Sequence, residues 1–276
     1  MGAGKVGFSL GRYFREHGIE LTGFFDISKE FSQAAAEFTG SRQFDRLEDL
    51  VKSSDAIFLT VSDGAIGTVW EEIKNNSNYS LDGKCICHCS GAMSSDVFVG
   101  LSDTGAYGYS IHPLLAVNDK LQSYKTLSQA FFTIEGAQLY RDYWLNLFKG
   151  FGNRVVVIDK KDKVKYHSAA VFASNLVVAL YEYSADILSE CGFDKEDATA
   201  ALLPLFLGNA NNIKTGPANA LTGPVERADE GTIKKHLEAL EGDKKTLYKL
   251  LSKRIVKTAQ KKNPDRDYEE VMNILE

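Results

Sequence analysis

The hexapeptide Gly2-Ala3-Gly4-Lys5-Val6-Gly7 constrains this chain more than any other stretch. Its spacing is G-x-G-x-x-G. The first glycine permits a tight turn, the second lets backbone amides approach a pyrophosphate, and the third lets a helix pack closely on a strand. A helical segment from Phe8 to His17 follows, and Gly18 ends it. Glu20-Leu21-Thr22-Gly23-Phe24-Phe25 then reads as a strand closed by Asp26, about twenty residues after the glycines, where an acceptor for ribose hydroxyls belongs. Such a turn hangs on a buried strand, yet only Met1 precedes Gly2. The expectation is a native chain that begins about six to eight residues earlier with an apolar β run.

Downstream, helix and strand signals alternate. Ala34, Ala35, Ala36 and Phe38 sit in a crossover helix closed by Gly40, and Asp55-Ala56-Ile57-Phe58-Leu59-Thr60-Val61 is a continuous apolar run of the kind buried on both faces of a parallel sheet. Further strands are expected at 84–89, at 106–113 with Pro113 as the stop, at 130–135 and at 154–158, with a helix over 138–148. This pattern is a doubly wound, mostly parallel α/β sheet lacking its first strand. From Lys161 the strand signals cease, and helices are expected at 162–191, 195–213, 229–239 and 243–261. The division is thus a Rossmann-like domain over 1–158 and an all-helical domain over 159–276. The helix at 162–191 turns almost wholly apolar after Ala169 and is expected to be buried on most sides.

A net charge of −5 offers no basic face for nucleic acid or an acidic membrane. No signal peptide is expected, nor an apolar stretch that spans a bilayer, so the expected setting is the cytoplasm. The four cysteines suit a reducing interior. Cys87-His88-Cys89 lacks zinc-ligand spacing and reads as part of a buried strand, so no metal is expected.

Ligands of an open parallel sheet bind outside the carboxyl ends of its strands. Those ends carry Gly2, Gly4, Lys5, Val6 and Gly7 for the pyrophosphate, Asp26 and Ser28 for the ribose, and Val61, Ser62, Asp63, Ser90 and Gly91 for the nicotinamide end of a dinucleotide. The Asp26 charge repels a 2′-phosphate, which favours NAD over NADP. Ser110 and His112 close another strand and are candidates to meet a small-molecule substrate. On the first helix of the second domain, the spacing of His167, Ser174 and Asn175 puts them on one face. His167 or His112 would supply a proton, while Asn175 and Ser90 orient the substrate. Thr222, in one of two Thr-Gly-Pro loops, is a candidate anion contact with Arg227 beside it.

The stretches GAGKVG, VSDGAI, HCSGAMSSDVF, YSIHPLLAV, YHSAAVFASNLVVAL and ALTGPVERAD resemble a family of Rossmann-like oxidoreductases whose helical C-terminal domain was long catalogued as of unknown function. This family is related to 6-phosphogluconate dehydrogenase, ketopantoate reductase, pyrroline-5-carboxylate reductase and prephenate dehydrogenase. The resemblance implies NAD(P)-dependent hydride transfer on a small substrate, with ketopantoate as the first expectation and prephenate-like or pyrroline-like chemistry as alternatives. A homodimer through the C-terminal helices is expected. Val171 stands four residues before Asn175, where hydroxyacid dehydrogenases and ketopantoate reductases carry a lysine, and Lys163 and Lys165 at the helix start read as solvated. The rival reading from another class is a non-catalytic dinucleotide sensor.

Overall fold

The glycine turn leads directly into α1 (Lys5–Glu16) in the computed structural model, which describes residues 1–276. Two compact units follow from the contacts, Met1–Ser174 and Asn175–Glu276. In the first, β1 (Gly23–Phe24), α2 (Lys29–Thr39), β2 (Arg42–Gln43), α3 (Leu47–Lys52), β3 (Ala56–Leu59), α4 (Asp63–Lys74) and β4 (Cys85–His88) alternate as expected. β5 (Tyr107–Leu114), β6 (Phe131–Gly136), α5 (Arg141–Gly150), β7 (Arg154–Val157) and α6 (Lys163–Ala173) complete it.

The sheet is mostly parallel, and it is divided. β1 and β2 pair with each other, while β3-β4-β5-β6-β7 form a separate five-stranded sheet whose only antiparallel pair is β5 with β6. Met1 and Gly2 bridge the division. The Met1 amine donates to the Phe58 carbonyl, the Thr60 amide to the Met1 carbonyl, and the Gly2 amide to the Phe25 carbonyl. Pro113 does not stop β5, contrary to expectation. Past Ser110 the strand pairs only with β6, so the amide that proline lacks has no partner to lose.

Apolar residues of α1, β4, β5 and α5, among them Phe14, Cys87, Ile111 and Phe148, make one core cluster, and Ile57, Leu59, Trp70 and Ile86 belong to another. Cys85 and Cys87 are buried strand residues.

The helix expected over 162–191 is broken. Ser174 leaves helical geometry at φ −129°, ψ −76°, which separates α6 from α7 (Asn175–Glu190). The units meet there rather than at 158–159, because Lys163 is buried beneath the loops of β4 and β5 and holds α6 to the sheet.

The second unit contains α7, α8 (Lys195–Asn212), α9 (Pro217–Ala220), α10 (Pro224–Arg227), α11 (Glu230–Ala239), α12 (Gly242–Lys262) and α13 (Glu269–Leu275). Its core lies among α10 to α13, around Ile233, Val256, Ala259 and Val271. The expected burial of α7 is overturned: the helix has no buried residue. An 18-residue window within 160–190 also reaches a mean hydropathy of 1.2, long and apolar enough to cross a membrane by composition. The charged start of that stretch hid this in the sequence.

Candidate active site

The carboxyl ends of β3, β4 and β5 gather most of the residues singled out above. At the glycine turn, Gly2 adopts φ +90° against Thr60 and Val61, a conformation that a side chain would not tolerate. A β-carbon on Gly7 would strike the Gly2 carbonyl, so close packing is the reason for the third glycine. The Thr60 hydroxyl donates to the Gly2 carbonyl (2.7 Å) and fixes the turn from below. Gly4 is the N-cap of α1 and has no side-chain cap, and the first turn around Lys5 and Val6 contains no acid. Several other helices, α4, α5 and α12 among them, also lack a side-chain cap, so it is the glycine turn in front of α1 that sets this terminus apart. The uncapped amides of α1 fit an anionic group.

Asp26 has a second role. Its Oδ2 accepts from the Ala3 amide (2.6 Å) and its Oδ1 from the Ser28 amide (2.9 Å), so the carboxylate braces the turn. Ser28 uses its hydroxyl as the cap of α2.

Ser90 was expected to orient substrate, but its groups are already engaged. Its hydroxyl donates to Asp63 Oδ2 (2.7 Å) and accepts from the Ala92 and Met93 amides, which folds the loop after β4 onto the loop carrying Val61, Ser62 and Asp63. Ser110, expected to touch substrate, is wholly buried. It donates to the Ser90 carbonyl (3.2 Å) and accepts from Lys163 Nζ (2.6 Å).

Lys163 was expected in solvent and is instead 1% exposed. Its ammonium also donates to the Ser90 carbonyl (2.9 Å). Burial lowers its pKa to about 8, with Glu135, Cys89 and Asp63 opposing the shift, so the amine is still largely charged at neutral pH. Glu135, itself buried, accepts from the Ser95 amide and hydroxyl.

Above this layer lie the histidines. His112 Nδ1 and the Tyr166 hydroxyl share a 2.7 Å hydrogen bond. Burial, then the Lys163 charge, pushes the His112 pKa down to about 3, so this imidazole is neutral and cannot act as a cationic acid near pH 7. His167 Nδ1 is buried without a hydrogen-bond partner. A β-carbon on Gly91 would lie 2.5 Å from that nitrogen and 3.0 Å from His112 Nε2, so both rings converge on the one residue there with no side chain. His88 is structural. It accepts from the Ser90 amide and faces the Ser94 carbonyl, and burial lowers its pKa to about 4.

Sequence reasoning missed Lys163, Tyr166 and Glu135. Lys163, Tyr166 and His167 stand at i, i+3 and i+4, one face of α6, and that spacing was the available clue. The shared face expected for His167, Ser174 and Asn175 does not survive the break at Ser174, whose hydroxyl donates to the Ala170 carbonyl (2.7 Å). Asn175 opens α7 in the second unit, and Thr222 lies in that unit before Pro224, the first residue of α10. Both Thr-Gly-Pro loops start helices, with Gly216 and Gly223 at φ +103° and +105° and proline as the first helical residue.

Two family models match the chain. One, a Rossmann-like domain, covers residues 1–113, and the other, DUF2520, a domain of unknown function, covers residues 130–255. No curated protein matches the chain. Among solved structures, protein TM1727 from Thermotoga maritima is 28% identical at a TM-score of 0.72, over 94% of this chain and 97% of that one. The fold is shared with Plasmodium falciparum pyrroline carboxylate reductase with NADP bound (16% identity, TM-score 0.56, 100% and 97% coverage). It is also shared with reductive aminase from Aspergillus terreus in complex with NADPH and ethyl-5-oxohexanoate (14%, 0.63, 100% and 97%). The DUF2520 match spans the last strands of the first unit and most of the helical second unit.

Proposed function

We propose that the chain is an NAD(P)H-dependent reductase of a small carbonyl substrate. The observation that carries the reading is the convergence of His167, with its unpartnered ring nitrogen, and neutral His112 on Gly91, on the same edge of the fold as an uncapped helix N-terminus. A bound nicotinamide dinucleotide would supply hydride. Gly2, Gly4, Lys5, Val6 and Gly7 would hold its pyrophosphate, Asp26 its ribose, and Val61, Ser62, Asp63 and Gly91 its nicotinamide end. Asp26 favours NAD, and the NADP named for the two solved neighbours argues the other way.

The chain's own groups divide the remaining work. His167 is the proton carrier, since its nitrogen is the one without a partner. Tyr166 and His112 hold each other in place beside it. Lys163 keeps a positive charge beneath the Ser90 carbonyl and Ser110, which stabilises negative charge growing on a substrate oxygen. Asn175, Ser174 and Thr222 stay as proposed substrate contacts.

Ketopantoate is the proposed substrate. A cyclic imine is the second reading, favoured by the fold shared with a pyrroline carboxylate reductase and a reductive aminase. Oxidation of NADH or NADPH is followed with ketopantoate and with pyrroline-5-carboxylate. Turnover of the first at least tenfold above the second supports the proposal, and tight cofactor binding with no turnover of either supports a sensor. The exposed apolar residues of α7 and α8 support a homodimer, and we place the protein in the cytoplasm.

A further inference from the structure

The connection from β5 to β6, residues 115–130, leaves and re-enters the sheet at the carboxyl edge where β3 and β4 end, because β5 is parallel to β4 and antiparallel to β6. It does not stay at that edge. It crosses α1 and reaches α2, with Leu127 in one core cluster with Tyr13 of α1 and the Tyr124 ring edge-on to Phe38 of α2. Asp119 fixes the turn on the way. Its Oδ1 accepts from the Leu121 amide (2.7 Å) and the Gln122 amide (3.0 Å), and its own amide donates to the Ser123 hydroxyl (3.1 Å). The turn so formed sets the Lys120 ammonium over two rings, 4.5 Å from the Phe31 centroid and 5.2 Å from that of Phe8.

Burial is inverted in this turn. Lys120 points inward and is half-buried, whereas Leu121 beside it is 49% exposed. Folding by itself favours the opposite arrangement, with leucine on the rings and the ammonium in water. The place that Lys120 reaches supplies a reason. Phe31 lies in the first turn of α2, where its amide donates to the Ser28 hydroxyl, and the Ser28 amide donates to Asp26, the acid expected at the ribose. Other cations near this end of β1 are already committed. Lys29 is paired with Asp45 (2.8 Å) and Arg46 with Glu48, while Arg42 pairs at the level of Gly23, short of the strand end, and lies over Phe44. Lys120 is in no ion pair.

We propose that Lys120 is the counter-ion of the 2′-phosphate of NADPH, carried across α1 to the ribose end by the connection between β5 and β6. Ile27 and Phe31, 98% and 50% exposed on either side of Ser28, offer the apolar surface that an adenine covers there. Asp26 repels the 2′-phosphate and Lys120 attracts it, so the chain accepts NADPH as well as NADH, which the acid by itself would not allow. Lysine acts here as a point charge on a long stem. The two rings hold stem and ammonium in place before a ligand arrives, which reduces the ordering that binding costs. The proposal rests on the reductase reading above and specifies which dinucleotides that site admits.

The test reads binding rather than turnover. Dissociation constants of NADPH, NADH and adenosine 2′,5′-bisphosphate are measured by titration calorimetry on the native chain, Lys120→Met and Lys120→Arg. Lys120→Met keeps a stem on the rings and removes the charge, so NADPH and the bisphosphate should each bind about 20-fold more weakly while NADH stays within about twofold of native. The melting midpoint should hold within about 2 °C. Lys120→Arg should keep NADPH within about threefold of native, since the charge is retained. If NADPH and NADH weaken together, Lys120 is a loop brace or a pyrophosphate contact, and if neither changes it is a solvated side chain; both results overturn the proposal. A native chain that binds NADH and not NADPH overturns it while leaving the reductase reading intact. Binding of neither dinucleotide removes both.

Discussion

The two units break the usual rule of burial in opposite directions. In the first, Lys163, Ser110 and Glu135 are polar and lie at 1%, 0% and 5% exposure. In the second, Leu205 and Val178 are apolar and lie at 72% and 61%. Neither arrangement stabilises a single folded chain, since burying a lysine costs desolvation and leaving leucine in water forgoes about 2 kcal/mol of burial. Each marks a place where something besides folding set the residue. On the proposed function, that is chemistry at the strand ends in the first unit, and on the proposed homodimer it is a surface to be covered in the second.

Lys163 is the sharpest way to break the first half of this contrast. Lys163→Met keeps the stem volume and removes the charge, leaving the Ser110 bond to the Ser90 carbonyl in place. With a substrate in hand, we expect kcat/KM to fall about 1000-fold while the melting midpoint stays within a few degrees. The native chain should lose activity above about pH 8 as the amine deprotonates, and the variant should lack that limb. A midpoint that collapses with no specific change in the pH profile would make Lys163 a structural residue only.

The second unit gives the next largest effect. Val178→Glu combined with Leu205→Glu replaces two exposed apolar side chains, which on an isolated surface changes stability by no more than about 0.5 kcal/mol each. If a second copy covers them, dimer dissociation should become at least 100-fold easier, read as a halved mass by light scattering at micromolar concentration. An unchanged mass would sink the homodimer.

Much of the first unit was legible in the sequence. Phe58 and its neighbours form an apolar run with no alternation, and Gly2, Gly4 and Gly7 carry the spacing of a turn packed closely between strand and helix, so element type could be read. Lys163 was not legible. A lysine at a helix start is ordinarily solvated, and only the tertiary path of the Ser90 loop shows that α6 lies against it. Ser90 and Ser110 misled for the same reason, since a hydroxyl at a strand end looks free until its partners are placed. For α7, apolar composition reads as burial whether the covering surface is in the same chain or another, so the sequence could not tell these apart.

Acid exposes the same contrast through stability. His88 and His112 have folded pKa values depressed to about 4 and about 3, below the ordinary 6.5, so between these limits the unfolded chain binds more protons than the folded one. Their contribution is fully present above pH 6.5 and is lost as pH falls toward 4. At pH 5 each histidine should cost about 2 kcal/mol relative to pH 7, seen as a lower urea midpoint. His112→Gln should remove about half of this loss, and an unchanged pH slope in that variant would exclude His112 as its source.

Asp26 gives the smallest expected effect and separates fold from ligand within a single residue. Its carboxylate braces Ala3 and Ser28, a role for which charge helps but is not required, because an amide oxygen also accepts. Repulsion of a 2′-phosphate does require the charge. Asp26→Asn should therefore leave the turn folded, weaken both cofactors a few-fold through the poorer acceptor at Ala3, and raise the ratio of NADPH to NADH affinity about tenfold. Titration with each cofactor under matched salt separates the two effects. If both affinities fall together and the ratio stays fixed, Asp26 serves the turn alone, and the preference for NAD loses its physical basis.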